Sequence, residues 1–278
     1  MQGYASGAQP LDNRTIKLNT NENPYPASSD IADVLEEFSV EHLRRYPQPT
    51  ADAFRKIAAK LHGVAQKNII ATRGGDELLR LVITSFVDPG ETIGMTDPTY
   101  SLYPVLAQIQ NCPIYTLPLE DDWTLSADFG ERMNAANVKL TLLVNPHAPS
   151  GNLVPAARLE ALANQLNSLL LIDEAYIDFV EGGESALNLV KTHENVIVLR
   201  TLSKGYSLAG LRFGYGVAAQ SLIDPMLNKT RDSYNLDAIS QRIAEVALSD
   251  QNHALENCRK VIAERNLLAA TLRSMGME

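Results

Sequence analysis

Several short aliphatic runs in this chain stop at residues with chemical capability. Leu169-Leu170-Leu171-Ile172 delivers Asp173-Glu174-Ala175-Tyr176, and Val196-Ile197-Val198-Leu199 leads into Thr201-Leu202-Ser203-Lys204-Gly205-Tyr206. Upstream, the run 92–95 ends in Asp97-Pro98-Thr99-Tyr100, and the run 140–144 ends in Asn145-Pro146-His147-Ala148-Pro149-Ser150-Gly151. Runs this short and this apolar read as strands covered on both faces. Between them, residues 76–87, 101–110 and 156–166 read as helices, with Leu78, Leu79, Val82 and Phe86 on one face of the first. Strands alternating with helices predict an α/β fold with a mainly parallel sheet under helices. Sites in such sheets gather at the carboxyl edge of the strands.

Lys204 is the residue at that edge with the most to say. Ser203 precedes it and Arg212 follows on the same stretch. A lysine so placed can bond covalently to an aldehyde cofactor whose phosphate is held by Ser203 and Arg212. The competing reading, a solvated loop lysine with Asp173 as a helix cap, has to explain several strand-end coincidences at once.

The net charge of −9 over 278 residues argues against nucleic acid or an anionic membrane as a partner, while leaving room for a local cationic pocket. Cys112 and Cys258 stand alone, without the spacing of a disulfide framework or a zinc site, and no metal is expected. No apolar stretch approaches the ~20 residues needed to span a bilayer, and residues 1–10 lack the features of a signal peptide. The cytoplasm is the expected compartment. Residues 1 to about 30 read as an extended arm, because Asn19, Asn21, Asn23, Pro24 and Pro26 leave little room for regular structure. Helices 31–38 and 52–61 follow, separated by the extended Arg45-Tyr46-Pro47. Asn68 to Ala71 reads as a strand and Gly74-Gly75 as a turn. Residues 113–117 and 215–218 read as further strands. After Asp232 the pattern is helical, and the longest helix, 253–274, carries Leu255, Cys258, Ile262, Leu268 and Leu272 roughly on one stripe and stops at Gly276.

Taken in order, Leu18-Asn19-Thr20-Asn21-Glu22-Asn23-Pro24, Arg45-Tyr46-Pro47, Gly74-Gly75-Asp76-Glu77, Asp97-Pro98-Thr99-Tyr100, Asn145 to Gly151, Asp173 to Tyr176 and Ser203 to Arg212 resemble the histidinol-phosphate aminotransferase family. This is a group of fold-type I pyridoxal-phosphate aminotransferases, and the matching pieces cover nearly the whole chain. The resemblance implies pyridoxal 5′-phosphate as cofactor, with Lys204 as its covalent anchor. It casts Asp173 as the partner of the ring nitrogen, Tyr176 as the partner of the ring hydroxyl and Tyr100 as the stacking aromatic. Gly75, Asp76, Glu77, Ser203 and Arg212 would hold the phosphate, helped by Tyr46 from a neighbouring subunit of a homodimer. Asn145 and His147 would also contact the cofactor. The family commonly places an asparagine where this chain has Ala148, with His147 as a substitute donor one residue earlier. Asn23, Tyr25 and Tyr234 resemble substrate contacts.

The same resemblance divides the chain into an arm (1–39), a large cofactor-binding domain (40–230) and a partial small domain (231–278). The family runs on past residue 278 with small-domain strands and an arginine for the substrate's α-carboxylate. Part of the apolar stripe on the last helix is therefore expected to lie uncovered. The implied activity is transfer of an amino group between histidinol phosphate and 2-oxoglutarate in histidine biosynthesis. A threonine-phosphate decarboxylase-like lyase, an aromatic aminotransferase, or a cofactor-binding fragment with little activity are the alternatives.

Overall fold

The computed structural model describes residues 3–4, 7–10, 14–182 and 184–277. Parts of the expected arm, at 1–2, 5–6 and 11–13, and the last residue, Glu278, lie outside the described residues. Among the described residues the chain runs α1 (Asp30–Glu37), α2 (Asp52–His62), β1 (Ile69–Thr72), α3 (Gly74–Phe86), β2 (Thr92–Asp97), α4 (Leu102–Ile109), β3 (Ile114–Pro118), α5 (Phe129–Ala135) and β4 (Val138–Val144). It continues with α6 (Ala156–Gln165), β5 (Leu169–Asp173), β6 (Val196–Thr201), β7 (Gly214–Ala218), α7 (Gln220–Pro225), α8 (Ala238–Ser249) and α9 (Gln251–Ser274).

The seven strands form one sheet in the order β1-β7-β6-β5-β4-β2-β3. Strands β3, β2, β4, β5 and β6 pair in parallel, while β7 runs antiparallel to both β6 and β1. Six strands therefore point the same way, and β7 alone is reversed. The aliphatic runs are continuous because both faces are covered. Alternation splits each strand between two cores. Leu170, Ile172, Val196 and Val198 join Phe54 and Ala58 of α2 and Leu159 of α6 on one face. Leu171, Ile197 and Leu199 join Leu78 and Val82 of α3 and Tyr103 of α4 on the other. The same parity decides the site: Asp173 follows Leu171 onto the α3/α4 face, and Arg200 follows Val198 onto the opposite one.

Gly74 and Gly75 form the first turn of α3, not a turn ahead of it. Helix α5 was not anticipated, being a short segment with little apolar periodicity.

The last helices pack on the sheet's α2 face, where Ile243, Ala244, Ala247 and Leu248 of α8 share a core with Phe54. Helix α8 is capped by Asp237, whose carboxylate accepts from Ser240 N at 2.8 Å. Asp250 caps α9 through His253 N at 3.2 Å and also takes a hydrogen bond from Ser28 Oγ at 2.7 Å, which ties the arm down. Pro26 O accepts from Asn257 Nδ2 at 2.7 Å on the same helix. Of the stripe on α9, Cys258 and Ile262 are buried, whereas Leu255 and Leu268 are exposed along with the neighbouring Leu267.

Candidate active site

The end of β5 places a carboxylate where water does not reach. Asp173 is 5% exposed, and its Oδ2 accepts from Tyr103 Oη at 2.9 Å while Oδ1 accepts from Ala175 N at 3.0 Å. Burial pushes the carboxyl up to about 6, opposed by these two hydrogen bonds. Tyr103 is fully buried and belongs to the α3/α4 core. Sequence reasoning missed it. The available signal was its position three residues after Tyr100 on a helix, since a buried tyrosine hydroxyl needs a partner.

Strand β6 ends at Thr201, whose hydroxyl caps Ser203 N at 3.1 Å and so turns the chain sharply before Lys204. The Lys204 ammonium donates to Thr20 O at 2.7 Å and Asn21 O at 3.3 Å, and lies 5.6 Å from the centre of the Tyr176 ring. Burial lowers its pKa; Glu22 pulls it back and Arg212 adds to the lowering. A lysine held in this state exposes a neutral, nucleophilic amine more readily than a solvated one. Asn23 Nδ2 donates to Lys204 O at 3.1 Å, so the arm grips the lysine at both backbone and side chain.

A third group assembles where β1 hands over to α3. Gly74 has φ of +76°, and a Cβ there would sit 2.7 Å from Arg212 Nη2. Gly214 opens β7 so close by that a Cβ would meet the Gly74 carbonyl carbon at 2.8 Å. The two glycines let the α3 N-terminus, Ser203 and Arg212 converge. Arg212 Nη1 reaches Ser203 Oγ at 3.4 Å and Nη2 pairs with Asp76 at 3.2 Å. Free backbone N–H groups at a helix start, a hydroxyl and a guanidinium together make a cradle for a phosphate dianion.

The remaining expected residues divide between this centre and its surroundings. Tyr100 meets Tyr103 edge-on at 5.6 Å, and its hydroxyl is 3.5 Å from Asp76 Oδ1. Glu77 turns its carboxylate to Arg73 N and to Asn235 Nδ2. Asn145 spends its amide on the Val154 backbone, accepting at 2.8 Å and donating at 3.3 Å. His147 has one ring nitrogen 3.1 Å from Pro98 O and the other 2.8 Å from Ser150 Oγ. His147 has both ring nitrogens engaged, Asn145 has one of its two amide N–H groups on Val154 O, and Ala148 has no side-chain donor. Tyr25 packs against Lys260, whose ammonium is 5.4 Å from its ring centre. Tyr46 and Tyr234 stack on each other at 4.4 Å, both well exposed.

Behind the site, on the other face of the sheet, Arg200 is buried between Glu174 and Asp178. Glu174 also accepts from Ser185 Oγ and Ala186 N, which anchors the turn that carries Asp173 to Tyr176. No part of this network was read from the sequence.

The amine, the buried acid and the phosphate cradle lie along one sheet edge and fit a flat aldehyde cofactor bearing a phosphate and a basic ring nitrogen. Among the described residues no cluster of His, Cys, Asp and Glu could hold a metal. Residues 13–278 match the model of the family described as Aminotransferase class I and II. The chain belongs to the class I and II aminotransferase family. Histidinol-phosphate aminotransferase 1 of Trichormus variabilis is 43% identical over 277 residues, covering 99% of this chain and 77% of that protein. The histidinol-phosphate aminotransferase of Geotalea uraniireducens is 43% identical over 276 residues, covering 99% and 78%. The crystal structure of the Sinorhizobium meliloti histidinol-phosphate aminotransferase in complex with pyridoxal-5′-phosphate superposes with a TM-score of 0.86 at 25% identity, over 92% of this chain and 70% of that one. This aminotransferase therefore shares its overall chain path with that structure.

Proposed function

We propose that the chain is a pyridoxal-phosphate-dependent aminotransferase that moves the amino group of histidinol phosphate to 2-oxoglutarate in histidine biosynthesis. The observation that carries this is the meeting of a desolvated lysine, a buried carboxylate and a phosphate cradle on one sheet edge. The names of the relatives supply the substrate. Pyridoxal phosphate supplies an aldehyde carbon that bonds amines and a ring that takes up the electron pair left at the substrate's Cα.

The chain's own residues do the rest. Asp173, buried and held by Tyr103 and Ala175, would pair with the ring nitrogen and favour its protonated form. Lys204 would anchor the cofactor and, as a free amine, would move the proton at the substrate's Cα. Tyr176 holds the ring oxygen, Tyr100 covers the ring, and Ser203, Arg212 and the α3 N-terminus at Gly75 and Asp76 hold the phosphate. Asp173 and Ser203 are buried, which keeps water from the innermost part of the site.

The protein works as a cytoplasmic homodimer in which Tyr46 completes the partner's phosphate site. Exposure of Tyr46 on an extended segment supports the exchange. The arm with α8 and α9 constitutes a partial small domain beside the large one at 40–230. No helix among the described residues is long and apolar enough to cross a membrane.

The test is direct. Given cofactor, histidinol phosphate and 2-oxoglutarate, the protein should form glutamate. Carbon dioxide release from phosphothreonine without glutamate formation would overturn the assignment. Mixing Lys204→Ala subunits with Tyr46→Phe subunits should restore about one intact site per heterodimer, and a monomer by light scattering would end the shared-site proposal.

A further inference from the structure

Among the described residues, no side-chain amide of the loop after β4 bonds the Tyr176 hydroxyl. Asn145 is committed to Val154, His147 to Pro98 and Ser150, and residue 148 is alanine. The side-chain amide that does reach the Tyr176 hydroxyl comes from the arm: Asn21 Nδ2 donates to Tyr176 Oη at 3.0 Å. Asn21 has φ of +53°, a left-handed conformation that asparagine tolerates better than most residues. This turn aims its carbonyl at Lys204 Nζ, 3.3 Å away, while its amide faces Tyr176. One residue thus spans the lysine and the tyrosine.

We propose that Asn21 is a positioning residue that orients the Tyr176 hydroxyl toward the cofactor's ring oxygen, a role that rests on the function proposed above for Tyr176. An N–H donated to the tyrosine oxygen fixes the direction of its own O–H, which is left to point at an acceptor in the site. It also polarises that O–H, making it a stronger donor to a ring oxygen that carries negative charge. The arm does not depend on this amide for its place. Asn23 holds the Lys204 carbonyl, Lys17 pairs with Glu22, and Asn257 and Asp250 of the last helices hold Pro26 and Ser28. Removing the Asn21 side chain should therefore leave the arm docked.

Asn21→Gly separates the amide from the backbone, because glycine accepts the left-handed conformation and keeps the carbonyl that faces Lys204. The first measurement uses the cofactor-free protein, with tyrosine labelled at Cζ and the Tyr176 resonance assigned by its loss in Tyr176→Phe. Asn21→Gly should move that resonance and leave those of the buried tyrosines Tyr103 and Tyr215 in place. The second measures the equilibrium dissociation constant of pyridoxal phosphate in a double-mutant cycle. Asn21→Gly should weaken binding roughly 3- to 10-fold in the wild-type background, the scale of one net hydrogen bond, and less than about 2-fold in the Tyr176→Phe background. An unmoved Tyr176 resonance, or an equal loss of affinity in both backgrounds, overturns the inference. If the wild-type protein fails to bond the cofactor through lysine, the proposed function falls, and the cofactor-free resonance still decides the contact between Asn21 and Tyr176.

Discussion

The two ends of the proposed cofactor site are built on opposite principles. At the ring end, Asp173 and Tyr103 are sealed in the sheet's α3/α4 core, with exposures of 5% and 0%. At the phosphate end, the Arg212 and Asp76 side chains pair while 42% and 51% exposed. A charge in a dry site has few partners and each counts heavily, whereas exposed charges are screened and share their work with backbone N–H groups. The ring end should therefore be brittle, and the phosphate end tolerant and salt-dependent.

The largest expected break in that contrast is Asp173→Asn. It removes the acid of a buried pair, a change that typically costs 2–5 kcal/mol, so turnover should fall about 30- to several-thousand-fold while the covalent link to Lys204 still forms. The check is a full kinetic and spectral comparison with wild type. Next comes Tyr103→Phe, which keeps the ring's packing but strips Asp173 Oδ2 of its donor. Leaving that oxygen unpaired should weaken the cofactor about 5- to 100-fold, measured by equilibrium dialysis, and push the Asp173 pKa higher still.

The same carboxylate gives a stability prediction with a definite sign. Its folded-state pKa of about 6 lies above the ordinary 3.8, chiefly through burial, so the cofactor-free folded protein holds a proton that the unfolded chain releases. Stability should decline as pH rises from about 4 to about 6 and then level, by on the order of 3 kcal/mol from this group. In Asp173→Asn that part of the slope should vanish, as denaturant melts across pH would record. The smallest effect belongs to the open end. Arg212→Ala should weaken the cofactor roughly 3- to 10-fold at low salt, and the difference from wild type should shrink as ionic strength rises. A salt-independent loss larger than that of Tyr103→Phe would erase the contrast between the two ends.

Strand-end logic made Asp173, Ser203, Lys204 and Arg212 legible in the sequence, since a buried aliphatic run that stops at a polar residue marks both a strand and its edge. Tyr103 was not legible, because nothing in a one-dimensional pattern says which core tyrosine turns its hydroxyl to which carboxylate. The arm's grip on Lys204 was equally hidden. Thr20 and Asn21 lie more than 180 residues away, and the lysine is held by their carbonyls, which any residue possesses. The reversal of β7 had a signal that went unused: residues 202–213 hold one 3₁₀ turn and no crossover helix, which suits an antiparallel return. At Asn145 and His147 the motif marks the loop after β4, and nothing in a one-dimensional pattern foretells their local hydrogen bonds to Val154, Pro98 and Ser150.

Lys204, and no other lysine, is expected to bond the cofactor in the space between Asp173 and the α3 N-terminus. Borohydride reduction of the protein loaded with pyridoxal phosphate, followed by peptide mass analysis, tests it most directly. One phosphopyridoxyl group per chain on the peptide containing Lys204, absent from Lys204→Ala, is the predicted result. A label spread over surface lysines, or one that persists at full yield in Lys204→Ala, would contradict it.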